Sequence, residues 1–94
     1  MPFYIYIMSN KQNGTLYIGM TSNLARRAFE HREGLIDGFT KLHGLKKLVY
    51  YEVYEDSLTA IQREKAFKKW NRNWKLRLII DNNPEWNDLY EQLN

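Results

Sequence analysis

The alternation of apolar and polar residues predicts three strands. Apolar and aromatic side chains alternate between two faces in "FYIYIM" (residues 3–8), which is typical of a strand covered on both sides. "TLYIGM" (residues 15–20) predicts a second strand, and Asn13 and Gly14 between them suit the positive φ angles of a tight turn. We expect these strands to pair antiparallel. "LVYYEVY" (residues 48–54), rich in β-branched and aromatic residues, predicts a third.

Capping residues and spacing predict the helices. Gly34 suits the C′ position of a first helix that follows "TSN", residues 35–47 are predicted as a loop, and Asn83 suits the N-cap before Pro84. The predicted helices span residues 24–33, 58–70, 71–80 and 84–93. The resulting order, β-β-α-β-α-α-α, favours an α+β fold with a small three-stranded antiparallel sheet flanked by helices, in a single domain over residues 1–94.

Composition narrows the class of protein. The chain has 94 residues, of which 44% are hydrophobic and 15% aromatic, and this apolar content favours a folded domain over intrinsic disorder. It contains no cysteine, so any metal ion must be held by oxygen or imidazole ligands. The N-terminal segment has no basic region and only a short apolar run, so we expect a cytoplasmic protein that does not enter a membrane.

The net charge of +3 is distributed unevenly along the chain. Residues 1–40 carry four basic and three acidic groups, residues 41–77 carry ten and four, and residues 78–94 carry none and four. A basic middle segment is compatible with a polyanionic partner, although on charge alone a solvated helix surface is the simpler interpretation. The candidate nucleic-acid contacts are Lys41, Lys46, Lys47, Arg63, Lys68, Lys69 and Arg72.

Three charged or polar residues occupy positions where a helix facing the core would be apolar. Leu24, Arg27, Ala28 and His31 share one helical face by their spacing, so Arg27 and His31 can act on the same small group. An Arg27 whose charged end reaches solvent and a boundary His31 would explain the same pattern. Glu64 lies at the edge of an apolar stripe and can hold Mg²⁺, although a helix ion pair with Lys68 is the simpler interpretation.

Two tyrosines are expected to lie close to this face. Tyr6 and Tyr17 fall on adjacent strands and should be neighbours across the predicted hairpin. Tyrosine, with an ordinary pKa near 10, is a weak base unless a cation favours the phenolate or the hydroxyl only relays a proton. Each tyrosine taken singly is better explained by packing.

The order of these residues resembles the GIY-YIG nuclease family. "YIY" (residues 4–6) and "YIG" (residues 17–19) match the two tripeptides, and "TSNLARRAFEH" (residues 21–31) is similar to the T-x-N-L-x-x-R-x-x-x-H element. The family glutamate falls in "QREKAFKKW" (residues 62–70). "GFTKLHG" and "NPEWNDLY" are similar to small, free-standing members related to the N-terminal nuclease domain of the repair subunit UvrC.

The resemblance implies metal-dependent hydrolysis of a phosphodiester in DNA, in repair or recombination. Glu64 is the implied ligand of a single Mg²⁺ or Mn²⁺ ion, and Arg27 the implied phosphate contact. Tyr6 would take a proton from the attacking water or orient it. Tyr17 and His31 would hydrogen-bond to the water, to Tyr6 or to the phosphate, and either tyrosine could be the base.

Three positions depart from the family pattern. Tyr4 stands where the first tripeptide begins with glycine, and Met20 stands where UvrC-type members often have lysine. The family asparagine has three candidates, Asn82, Asn83 and Asn87. Asn87, which follows "PEW", is the preferred counterpart, and it completes the candidate catalytic set.

Two other functions fit the same sequence. A noncatalytic module that binds DNA or RNA would keep the fold and the basic surface, with exposed aromatic residues that favour single strands. A protein-interaction domain would use the acidic C-terminal helix. Family nucleases commonly gain target choice from an attached domain or another protein, so the resemblance also implies a protein partner.

Overall fold

Three strands form one antiparallel sheet with the first strand at its centre. The computed structural model describes residues 1–93, and its sheet has the order β2-β1-β3, with β1 at Phe3–Ser9, β2 at Leu16–Thr21 and β3 at Lys47–Tyr54. β1 is paired on both edges and covered on both faces, as its uninterrupted apolar sequence predicts. The predicted fold class and strand pairing are confirmed.

The alternation along β1 divides the core between the two faces of the sheet. Ile5 and Ile7 point to one face, where α3 and α4 contribute Phe67 and Ile79. Tyr6 and Met8 point to the other face and pack with Leu24, Ala28, Leu45 and Leu48. Tyr6 is thus part of a hydrophobic core as well as a candidate catalytic residue.

The helices begin at polar caps. Asn23, Asp56 and Asn71 each accept a hydrogen bond from a backbone N–H of the first turn that follows. The helices are α1 at Leu24–Arg32, α2 at Phe39–Leu42, α3 at Ser57–Lys69, α4 at Arg72–Asn82 and a 3₁₀ helix at Leu89–Gln92. None of these helices, within residues 1–93, is long and apolar enough to cross a membrane.

The turn between β1 and β2 is fixed by two different requirements. Asn13 adopts the positive φ angle of the turn, 58°. Gly14 is required for a steric reason, because a Cβ atom at this position would lie 2.0 Å from Oδ1 of Asn10. Arg72, at the start of α4, donates hydrogen bonds of 2.6 Å to the carbonyls of Asn13 and Gly14. The hairpin is therefore attached to α4.

Two segments differ from the sequence prediction. The predicted loop over residues 35–47 contains α2, a single helical turn that follows Gly38. The last helix does not begin at Asn83: this residue ends α4, and its side chain bonds to the backbone of Val49 and Asn87. A 3₁₀ helix starts only after Asp88, whose carboxylate accepts from the N–H groups of Tyr90 and Leu48. Asn83 is buried, and bonding to β3 satisfies its amide better than an exposed cap would.

Candidate active site

His31 lies at the centre of a buried hydrogen-bonded chain. Its side chain is only 4% exposed, and its Nε2 lies 3.0 Å from the hydroxyl of Tyr6. Its Nδ1 lies 3.1 Å from Oγ1 of Thr40, the second residue of α2. The polar residue on the apolar stripe of α1 therefore joins the central strand to α2. Both ring nitrogens have a partner, which fixes the orientation of the ring.

Gly19 makes room for the Tyr6 ring. The two residues are paired across β1 and β2, and a Cβ on Gly19 would lie 2.4 Å from both Cζ and the hydroxyl oxygen of Tyr6. Gly19 does not have a positive φ, so its requirement is steric and not conformational. The glycine of the "YIG" tripeptide thus determines where the Tyr6 hydroxyl lies.

Tyr17 completes an aromatic cluster with Tyr6 and His31. Its ring centroid lies 6.4 Å from that of Tyr6 and 5.8 Å from that of His31. Tyr17 projects from the edge strand β2 and is half-buried, whereas Tyr6 projects from the central strand and is 1% exposed. The predicted proximity of the two tyrosines is therefore present, and only Tyr17 lies toward solvent.

Arg27 and Glu64 both act electrostatically on the Tyr6 hydroxyl. Burial and the neighbouring Tyr17 raise the pKa of Tyr6 to about 12, the guanidinium of Arg27 opposes this rise, and the carboxylate of Glu64 adds to it. The glutamate comes from α3 and the arginine from α1. Of the six predicted catalytic residues, the structure thus places Tyr6, Tyr17 and His31 in one aromatic cluster, and Arg27 and Glu64 within electrostatic range of its buried hydroxyl.

His31 is neutral at physiological pH. Burial lowers the pKa of His31 below its ordinary value of 6.5, the charge of Arg27 lowers it further, and Glu30 partly opposes them. A neutral imidazole has one N–H donor and one acceptor. It can therefore accept a proton from Tyr6 at Nε2 while it donates from Nδ1 to Thr40.

Arg27 and Glu64 also take part in surface ion pairs. Nε of Arg27 lies 3.4 Å from Oε1 of Glu30, and Nζ of Lys68 lies 3.6 Å from Oε2 of Glu64. The Arg27 and Lys68 side chains are 41% and 56% exposed, so both pairs are weak and can rearrange when a ligand binds. Glu64 therefore forms the ion pair with Lys68 that their spacing predicts, and its charge also acts on the Tyr6 hydroxyl.

Comparison with protein families identifies the chain. Residues 2–77 match the GIY-YIG catalytic domain. The chain belongs to the GIY-YIG family. It is 36% identical over 91 residues to a UPF0213 protein of Clostridium perfringens, with 97% of each chain covered. It is also 36% identical over 78 residues to a UPF0213 protein of Staphylococcus saprophyticus, covering 83% of this chain and 94% of that one.

A solved structure supports the fold. The solution NMR structure of a UPF0213 protein from Bacillus halodurans matches with a TM-score of 0.58 and 23% identity, over 100% of this chain and 99% of that one. Membership of the GIY-YIG nuclease family gives the cluster around Tyr6 a chemical context. Nucleases of this family generally depend on a metal ion and act on nucleic acid.

The asparagine preferred for the GIY-YIG site lies on a surface loop. Asn87 is exposed, and both its backbone N–H and its backbone carbonyl bond to the side chain of Asn83. Asn83 is 5% exposed and also donates to the carbonyl of Val49 on β3. Among residues 1–93, the side-chain hydrogen bonds connect neither asparagine to Tyr6 or His31. The assignment of Asn87 to catalysis stays a prediction.

Three of the seven basic residues predicted to contact nucleic acid have hydrogen-bond partners within the protein. Arg63 donates two hydrogen bonds of 2.9 and 3.0 Å to Glu52, and Arg72 donates to the hairpin carbonyls described above. Lys41 lies 3.3 Å from Asp37, in an exposed pair of little strength. Arg63 and Arg72 are thus used to hold the fold.

The other four basic residues form no side-chain hydrogen bond within residues 1–93, and among them Lys68 has the long ion pair with Glu64. Lys46, Lys68 and Lys69 are exposed, and Lys47 is half-buried as the first residue of β3. Lys68 is placed best, because it lines a groove beside Tyr17. This groove also contains Lys75 of α4, which the sequence analysis did not single out.

Thr40 is the other residue that the sequence analysis missed. It is 5% exposed and orients His31 through Nδ1. In the sequence, its segment "GFTKLHG" indicates only a similarity to the UvrC-related subgroup. A small polar residue beside an aromatic residue, in a loop after the helix that carries the histidine, was the available signal.

Proposed function

We propose that this chain is a metal-dependent endonuclease that hydrolyses phosphodiester bonds in DNA. The observation that carries the proposal is the buried Tyr6 to His31 hydrogen bond, with the charges of Arg27 and Glu64 acting on the same hydroxyl. A site built only for packing gains nothing from two opposite charges directed at a buried hydroxyl.

Tyr6 transfers a proton in this proposal and does not start as a phenolate. With a pKa of about 12, its hydroxyl is protonated at neutral pH. A water molecule that attacks the phosphorus atom gives its proton to the Tyr6 oxygen while the Tyr6 proton passes to Nε2 of His31. The neutral state of His31 supports this direction of transfer, because an imidazolium could not accept the proton.

Arg27 and Tyr17 contact the phosphate in this proposal. Arg27 is 41% exposed and its guanidinium lies near the Tyr6 hydroxyl, so one end of its fork can reach a phosphate oxygen. Its positive charge then stabilises the additional negative charge that develops on the phosphate in the transition state. Tyr17, toward solvent, can donate its hydroxyl proton to the phosphate or to the attacking water.

Glu64 is the residue proposed to hold the metal ion. Its side chain is 22% exposed beside the cluster, and a single carboxylate suits Mg²⁺ or Mn²⁺, which retain several waters and take further oxygens from a phosphate substrate. Within residues 1–93 no three His, Asp or Glu side chains gather into a larger metal cluster. When bound, the ion supplies Lewis-acid polarisation of the phosphate and charge neutralisation at the leaving oxygen.

The finer features of the substrate also belong to the proposal. Lys46, Lys47, Lys68 and Lys69 would make salt-sensitive contacts to phosphates that carry no sequence information. DNA is the proposed polymer and repair or recombination the proposed process. A protein partner that selects the target is part of the same proposal, because the basic residues provide no base-specific readout.

The test is cleavage of plasmid and branched DNA with Mg²⁺ or Mn²⁺. Glu64→Gln removes the metal ligand and should lower the cleavage rate by 100-fold or more, on the order expected for loss of one strong electrostatic contact. Glu85→Gln is the matched control, since Glu85 is exposed and lies on the loop after α4. Circular dichroism should show both variants folded.

Equal cleavage by the wild type and Glu64→Gln would reject the nuclease proposal. Salt-dependent gel shifts without cleavage would then favour the noncatalytic binding module.

A further inference from the structure

A groove beside Tyr17 combines an apolar floor with two lysines. Its volume is about 300 Å³, and it is lined by Leu16, Tyr17, Ile18, Phe39, Lys68 and Lys75. The edge strand β2 supplies the first three residues, α2 supplies Phe39, and α3 and α4 supply one lysine each. The groove therefore begins at a residue of the candidate active site and extends away from it.

Phe39 is an exposed aromatic ring held in place by its neighbours. It is 47% exposed, lies nearly parallel to the Tyr17 ring at an interplanar angle of 26°, and its centroid lies 4.4 Å from that of His43. Thr40, the next residue, is buried against His31. Phe39 is thus attached to the same hydrogen-bonded chain that positions Tyr6.

Lys68 and Lys75 give the groove positive charge that is complementary to the phosphates of a nucleotide. Lys68 is 56% exposed and its only ion pair among residues 1–93, with Glu64, is long at 3.6 Å. Lys75 is half-buried in the groove and forms no ion pair within the described part of the chain. An apolar ring flanked by two ammonium groups is complementary to a base joined to a phosphate.

We propose that this groove binds an unpaired nucleotide adjacent to the phosphate that is cleaved, with its base stacked on Phe39 and its phosphates contacted by Lys68 and Lys75. The inference rests on the proposed function and specifies its substrate. A paired base has both faces covered by its neighbours in the duplex, so the groove favours single strands, flaps and locally distorted duplexes.

The test measures binding without cleavage. A short single-stranded DNA that carries the fluorescent base 2-aminopurine, and a fully paired duplex of the same length, are titrated with protein in metal-free buffer containing a chelator. Phe39→Ala should weaken binding of the single strand by about 5- to 150-fold, the change expected for loss of one base-to-aromatic stack. Binding to the wild type should quench the fluorescence of 2-aminopurine when its base stacks on Phe39. Phe39→Ala should abolish this quenching and leave duplex binding unchanged.

Three further variants make the result specific. Leu42→Ala removes another exposed apolar residue, 80% exposed, from the same helix and should leave single-strand binding as in the wild type. Phe39→Trp keeps a stacking surface and should retain both affinity and quenching. Lys75→Ala should weaken binding of both the single strand and the duplex. It should also reduce the slope of log affinity against log salt concentration by about one phosphate contact.

The outcomes separate this inference from the nuclease proposal. Unchanged single-strand affinity in Phe39→Ala, or an equal loss for single strand and duplex, would overturn the groove assignment even if the wild type cleaves DNA. Absence of single-strand binding by the wild type would overturn it as well. If the wild type cleaves no DNA but Phe39→Ala still weakens single-strand binding, the groove assignment stands and only the nuclease proposal is rejected.

Discussion

Gly19 and Tyr6 show how one residue position controls another at the site. The pairing of β1 with β2 places the Tyr6 ring over Gly19, so close that a Cβ atom on residue 19 would overlap the ring. The ring is held from the other side by His31, to which its hydroxyl is bonded. Tyr6 therefore has little freedom to move, and the position of its hydroxyl is set by packing from two elements.

Gly19→Ala should destabilise the protein and disrupt the site. The new methyl group forces the Tyr6 ring to shift, at a cost of about 1–3 kcal/mol in the free energy of unfolding, and breaks the bond to His31. Urea denaturation measures the loss. In a Tyr6→Leu background, which lacks the clashing ring atoms, the same substitution should cost much less. Equal costs in the two backgrounds would place the cause in the backbone and contradict the steric explanation.

At the scale of elements, α2 is a short helix with a large effect on the site. Its four residues include Thr40, which orients His31, and Phe39, which stacks beside Tyr17. A helix of one turn has little stability of its own. Its position depends on the buried Thr40 and on Leu45, which joins the Tyr6 core.

Thr40→Val should change the tautomer of His31. Thr40 is a positioning residue in our proposal, accepting from the Nδ1–H group so that Nε2 is free to accept from Tyr6. Valine keeps the shape but leaves Nδ1–H buried without a partner, at a cost of about 1–3 kcal/mol, so the proton moves to Nε2. Nitrogen NMR of the imidazole rings detects the tautomer, and the exposed His43 serves as the internal reference.

The same substitution should lower the cleavage rate, on the order of tenfold or more. Thr40→Ser retains the hydroxyl and should restore both the tautomer and the rate. A valine variant that keeps the wild-type tautomer and cleavage rate would show that Thr40 does not position His31.

The elements explain why the sequence predicted so much of the fold and less of the site. The strands of the sheet follow from strong alternation, and caps such as Asn23 and Asp56 fixed where helices begin. α2 was missed because four residues are too few for a periodic pattern. Asn83 was misassigned because an Asn-Pro pair has the local chemistry of a helix start, while its burial against β3 is a tertiary effect.

Electrostatic positions were harder to predict than elements. Arg63 and Lys68 lie on the same helix and are alike in sequence terms, yet only Lys68 faces the groove. Arg63 is bound by Glu52 and lies over the rings of Phe67 and Trp70 at 4.4 and 5.1 Å. Which charge is neutralised depends on contacts between β3 and α3, and spacing along one helix does not contain that information.

At the scale of the whole molecule, the site forms where the two cores meet at the edge strand. Tyr6 and α1 belong to one face of the sheet, whereas α3 packs with the other face through Ala60 and Phe67. β2 is the edge strand next to β1, so only this one strand lies between Tyr6 and the edge of the sheet where the two faces meet. Residues from both sides can therefore reach the same hydroxyl, and the stability of either core affects the geometry of the site.

Glu52 connects β3 to α3 on the face opposite Tyr6. Burial would raise the pKa of Glu52, but hydrogen bonds from Arg63, Tyr50 and Tyr54 outweigh it and hold the pKa below the ordinary value of 4.5. The side chain is 15% exposed. A carboxylate that is more acidic in the folded state stabilises the protein above its ordinary pKa, and this stabilisation is lost as the pH falls through the folded value.

His31 adds a separate contribution at higher pH. Its folded pKa is lowered, so between that value and 6.5 the unfolded chain binds more protons than the folded one. The free energy of unfolding must therefore decrease as the pH falls below 6.5, before the carboxylates begin to titrate. Urea denaturation at intervals between roughly pH 7.5 and 5.5, the range in which histidine titrates, measures this slope.

Substitution of each histidine assigns the slope. His31→Gln should remove the decrease between roughly pH 6.5 and 5.5, because no buried imidazole then has to become charged. His43→Gln changes an exposed ring and should leave the decrease intact. If His43→Gln abolished it instead, or if the wild type became more stable in mild acid, His31 could not be the buried neutral imidazole on which proton transfer from Tyr6 depends.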